Sequence, residues 1–111
     1  GLWYVDAMEY PEKYQGKVVH FKGRVLKPSD FPREEFVPGR MAMTCCADDT
    51  TFIGIICESK DTPHLKEGGW VDVQAEMAVE YKSAYHGEGP VLRAKKVRMC
   101  DPLEEEMVYF N

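Results

Sequence analysis

The chain has 111 residues, 44% of them hydrophobic and 30% charged, which is the make-up of one ordinary globular domain and excludes extended disorder. Its 14 basic and 19 acidic residues leave a formal charge of −5, a field that repels a phosphate backbone, so nucleic acid is disfavoured as a partner. No run approaches the roughly 18 to 20 apolar residues needed to cross a bilayer. The start at Gly1 without an initiator methionine reads as a fragment of a longer protein.

In chain order, residues 1–15 read as a helical lead-in interrupted at Pro11. A first strand is expected over 18–27, where Val19, Phe21, Gly23 and Val25 alternate with His20, Lys22 and Arg24. The stretch 28–39, with three prolines and two phenylalanines, reads as a long connection. Residues 40–47 and 51–58 form two apolar strands joined by a tight turn at Asp48-Asp49-Thr50. These strands lack alternation, which implies cover on both faces, from the core and from another segment, a partner or a second copy in a homodimer.

Residues 61–66 suit a short helix capped by Thr62, with Pro63 in its first turn and Gly68-Gly69 ending it. The clearest strand is 70–81, with Val71, Val73, Ala75, Met77, Val79 and Tyr81 on one side. A second long connection at 82–90 leads to a fifth strand over 91–100, whose phase slips at Lys95-Lys96 as a β-bulge would make it slip. A short extended piece is expected at 107–110. Five strands with a short helix before the fourth define an all-β, OB-like barrel over 16–100, with a tail at 101–111. In such barrels the connections after strands one and four flank the ligand face.

Three stretches carry a resemblance: Tyr10-Pro11-Glu12-Lys13-Tyr14-Gln15-Gly16-Lys17, then Phe36-Val37-Pro38-Gly39-Arg40-Met41-Ala42-Met43-Thr44-Cys45-Cys46-Ala47-Asp48-Asp49, then Trp70-Val71-Asp72-Val73. The sequence resembles the soluble C-terminal domain of an uncharacterised bacterial family of two-component membrane permease complex subunits. Its most specific part is the Arg-x-x-x-Thr-Cys-Cys-x-x-Asp core, which marks Arg40, Thr44, Cys45, Cys46 and Asp49 as signature positions. The resemblance implies a membrane-associated full-length protein, a polytopic permease subunit as partner and a non-enzymatic accessory or ligand-binding role in transport.

The alternative role is metal or thiol handling at Cys45 and Cys46, because thiolates ligate zinc or copper(I) and Asp48 and Asp49 lie beside them. Strand geometry opposes it, since adjacent side chains point to opposite faces unless the strand is broken. The tight turn would set Cys46 opposite Ile53 and Cys57 opposite Ala42, on the order of 13 Å apart, too far to share an ion. Cys57 and Cys100 are read as reduced and buried, with a disulfide between them as the alternative. His20, His64 and His86 read as exposed, with His86 in the loop beside the ligand face. Arg40 is read as pairing with Asp48, Asp49 or the Glu34-Glu35 run, or as clamping an anion. A third role is nucleic-acid binding by an OB domain, for which Phe31, Phe36, Trp70 and Tyr85 could make a stacking platform; core and loop packing is the commoner use of such aromatics, and the acidity favours it.

Overall fold

The computed structural model describes residues 3–43, 50–102 and 107–109. Seven strands form one sheet: β1 (Val18–Leu26), β2 (Glu35–Met43), β3 (Thr50–Gly54), β4 (Ile56–Glu58), β5 (Trp70–Lys82), β6 (Gly87–Cys100) and β7 (Met107–Tyr109). Their order is β1-β5-β6-β4-β2-β3, and β1 also pairs β2, so the sheet closes into a five-strand barrel in which β3 and β4 serve as one strand. This is the OB-type all-β barrel that the strand pattern predicts, with β7 as an extra strand running parallel to β2 at Met41–Met43.

Alternation builds the core where it was expected. Val71, Val73, Ala75 and Met77 of β5 are fully buried, as are Val91 and Leu92 of β6. Further along β5, Val79 is only half-buried and Tyr81 is 68% exposed, so the β5–β6 hairpin runs out beyond the barrel wall. The phase slip in β6 is a bulge, since the register jumps from Gln74↔Lys96 to Ala75↔Ala94 and Lys95 has no opposite number.

The second strand departs from expectation. It begins at Glu35, inside the stretch read as a connection, because Pro38 and Gly39 look like breakers yet belong to the sheet. Pro38 is fully buried, in step with Phe36 and Ala42. Gly39 is needed where three strands crowd: a Cβ there would lie 2.1 Å from the Ile53 carbonyl oxygen, and one on Gly23 would lie 2.9 Å from the Gly39 nitrogen. At this point β1 changes partner, pairing β5 over Val18–Arg24 and β2 over Arg24–Leu26.

The pairing of β2 with β3 is also displaced from the expected tight turn. Arg40, not Cys46, stands opposite Ile53, Ala42 faces Thr51, and Cys57 faces Phe36 rather than Ala42. The second long connection is shorter than expected, because Lys82 already pairs Gly87. Between β4 and β5 the expected helix is a single 3-10 turn, Thr62–His64, preceded by Asp61. Thr62 does not cap it; its hydroxyl donates instead to the Ser59 carbonyl at 2.8 Å.

The lead-in is a helix, α1 (Trp3–Glu9), followed by a 3-10 turn at Pro11–Lys13. Ala7 is fully buried, Trp3 meets Phe21 edge to face with centroids 5.1 Å apart, and the Tyr14 hydroxyl donates to Asp6 at 2.7 Å. Helix α1 touches both β3 and β6, so part of the cover that the apolar hairpin requires comes from the chain's own N-terminal segment. Among the described residues, no helix is long and apolar enough to cross a membrane.

The crowding at Gly39 makes a stability prediction. Gly39→Ala should cost about 2 kcal/mol or more by overpacking, whereas Gly87→Ala, with nothing within 4 Å of the added methyl, should change stability by less than about 0.5 kcal/mol. Urea denaturation of both variants measures the difference.

Candidate functional site

The two connections expected to flank a ligand face do converge. Asp30, Phe31 and Pro32 from the 27–34 connection and Tyr81, Lys82, Ser83, Ala84 and His86 from the β5–β6 tip line one cleft of about 660 Å³, with Glu35 and Ile56 between them. The strand order brings them together: β2 leaves the first connection and pairs β4, while β4 pairs the start of β6 in parallel, Ile56 opposite Val91.

An ion cluster fixes the cleft. Glu35 and Glu58 are direct cross-strand partners, an arrangement that two carboxylates resist. Lys82 resolves it, its Nζ donating to Oε2 of Glu35 and to Oε2 of Glu58, each at 2.7 Å. All three side chains are largely covered, at 15%, 14% and 32% exposure for Lys82, Glu35 and Glu58. Burial works against the lysine charge, but the two carboxylate hydrogen bonds outweigh it and its pKa is raised.

Tyr85 supplies a second tie. Its hydroxyl donates to the Pro90 carbonyl at 2.8 Å and accepts from the Ile56 amide at 3.2 Å, joining the 3-10 turn Ser83–Tyr85 to β4. The next residue, His86, sits in the left-handed region at φ 57°, a strained conformation for a residue with a Cβ. Burial raises the Tyr85 pKa and keeps the phenol protonated for these bonds.

Of the signature positions, Arg40 alone is described; Thr44, Cys45, Cys46 and Asp49 lie outside the described residues. Arg40 lies in phase with Phe36, Pro38 and Ala42 on the barrel-facing side of β2, and its Nε is buried with no hydrogen-bond partner among the described residues. Of the alternative partners expected for Arg40, Glu35 is held by Lys82, and Asp48 and Asp49 lie outside the described residues. Phe36 and Trp70 are core residues at 0% and 4% exposure, as the packing reading has it, so the alternative four-residue stacking platform is not assembled; of the two remaining rings Phe31 lines the cleft while Tyr85 is a structural tie.

His20 pairs with Asp72 on the outer face of β1 and β5, His64 is exposed, and His86 lines the cleft. Among the described residues, no three His, Cys, Asp or Glu side chains are grouped to hold a metal ion. Cys57 and Cys100 are free thiols. Opposite Leu92 and Trp70 respectively, they are eight residues apart along β6, on the order of 25 Å. Complete burial pushes the Cys57 thiol up to about 12, so it is neither a nucleophile nor a ready ligand at neutral pH.

The barrel and its two-loop cleft place the chain in the class of OB-type domains. Within that class, the model of the DUF1980 C-terminal domain matches residues 2–110, and the chain belongs to that family. No curated protein matches it. Among solved structures it is similar to the mitochondrial single-stranded DNA-binding protein of S. cerevisiae. One crystal form is 16% identical with a TM-score of 0.45, covering 81% of this chain and 100% of that one; another is 14% identical with a TM-score of 0.44, covering 80% and 100%. At that distance the likeness has no bearing on what the cleft binds.

Two outcomes follow from the buried groups. Lys82→Met strands two facing carboxylates and should cost about 1–3 kcal/mol at pH 7, most of it recovered in Lys82→Met with Glu35→Gln and Glu58→Gln, by thermal or urea denaturation. Cys57 keeps its proton to about pH 12 when folded, but releases it near its ordinary value of 9.0 when unfolded. Its contribution is therefore fully present below about pH 9 and lost between 9 and 12, and Cys57→Ala should flatten that alkaline fall in a stability profile.

Proposed function

We propose that this domain is a non-enzymatic accessory domain of a membrane permease complex that binds its partner or ligand through the cleft between the 27–34 connection and the β5–β6 tip. The observation that carries this reading is the convergence of two sequence-distant connections on one cleft whose polar groups are already engaged with each other. Lys82 is held by two carboxylates and Tyr85 by two backbone groups, so they fix the walls rather than stand ready for proton transfer. Such prior ordering favours binding, because less freedom is lost when the ligand arrives. The permease setting rests on the resemblance of the Arg40 to Asp49 core to permease-complex subunits.

The test is co-purification of the full-length protein with the polytopic permease subunit that the resemblance implies as its partner, expressed together. Retention of the permease by the wild type, reduced at least about tenfold by Phe31→Ala combined with Ala84→Glu in the cleft, supports the reading. Equal retention by the variant, or no retention by the wild type, overturns it.

A further inference from the structure

We infer that the cleft takes the basic side chain, arginine or lysine, of an extended protein segment; this rests on the reading of the cleft as the binding site. The charges around it are unbalanced. Glu35, in the lining, and Glu58, just outside it, share the single ammonium of Lys82; Glu58 also faces Arg93 of β6, but Arg93 is bonded to Glu80, so these three carboxylates and two cations still carry one negative charge in excess. Asp30 adds another carboxylate from the opposite wall, exposed and without a side-chain partner among the described residues. Of the residues lining the cleft, Asp30 and Glu35 are therefore the carboxylates, against the one ammonium of Lys82 and the imidazole of His86, and Glu58, outside the lining, takes a share of that ammonium. Lys82 cannot serve an incoming anion without abandoning two carboxylates at 2.7 Å, and a phosphate or carboxylate ligand would meet net negative potential.

The apolar part of the lining fits the same ligand. Phe31 and Tyr81 bring aromatic rings to the cleft, and Pro32, Ile56 and Ala84 offer surface to a methylene stem. A guanidinium or ammonium attached to such a stem satisfies both halves, its head among carboxylates and ring faces and its stem against the apolar wall. Tyr81 decides between a free amine and a side chain. At 68% exposure it stands on the rim, on the part of β5 that has left the barrel. A small amine on the floor leaves that ring in water, whereas a chain that continues past the basic residue covers it.

The experiment is an NMR titration of the ¹⁵N-labelled chain with three capped pentapeptides, Gly-Pro-X-Pro-Gly, in which X is Arg, Gln or Glu, and with spermidine. The Arg peptide should shift the amides of Phe31, Tyr81, Lys82 and Ala84 saturably. Its affinity should exceed that of the Gln peptide by roughly five- to tenfold, and the Glu peptide should not bind. Asp30→Asn should erase most of that preference, and Tyr81→Ala should weaken the Arg peptide several-fold while leaving spermidine unchanged. Cleft shifts as strong with the Gln or Glu peptide overturn the cationic assignment and leave the binding cleft standing. Spermidine binding as tightly as the Arg peptide, equally sensitive to Tyr81→Ala, overturns the protein segment in favour of a free amine. No cleft shifts with any probe overturns the basic ligand; the co-purification above then decides separately whether the cleft binds a partner at all.

Discussion

The barrel depends on one steric constraint, the passage of β1 from one neighbour to another at Arg24. Up to that residue β1 is bonded to β5, and beyond it to β2. The change requires backbones to approach more closely than side chains allow, and Gly23 and Gly39 meet there with their missing Cβ positions pointing into neighbouring main chain. Every later feature follows from that closure. Once β2 is held on β1, its other edge receives β3 and β4, and β4 in turn reaches β6. The cleft is the outer consequence of the same path.

Closure creates an electrostatic problem and the β5–β6 tip solves it. Register sets Glu35 against Glu58, and nothing in β2 or β4 neutralises them. The lysine comes from the last residue of β5, on a hairpin that has run past the barrel wall. Tyr85, three residues on, binds β4 through the Ile56 amide. An overhanging hairpin that would otherwise be a mobile flap is thus tied down at two points, one charged and one neutral, on the same short strand.

Much of the barrel was legible in the sequence, and the reasons are local. β1 and β5 alternate because one face is core and one is wet, and the bulge in β6 announced itself as a broken phase at Lys95. β2 was misplaced because Pro38 and Gly39 carry strong turn propensity, which tertiary packing overrode; the inward set Phe36, Pro38, Ala42 was present but masked by those two residues. The two flanking connections were legible from topology. The Lys82 cluster was not, since its members lie 47 and 24 residues apart and no pattern at helix or strand period joins them. Phe36 and Trp70 could be read either as core or as part of a stacking surface, because aromatic residues serve both uses; core packing, the commoner one, is what burial shows for them.

The parallel contact of β4 with β6 has one more consequence. It joins segments about 35 residues apart by three residue pairs, and Ile56 becomes part of the cleft only when it forms. Non-local pairing of this kind comes late, because the loop must be ordered before any bond repays the ordering. A chain that has paired β1, β5 and β6 but has not seated β4 offers no complete cleft. Whatever binds there reads the finished barrel as a single event, and by linkage stabilises only chains that have closed.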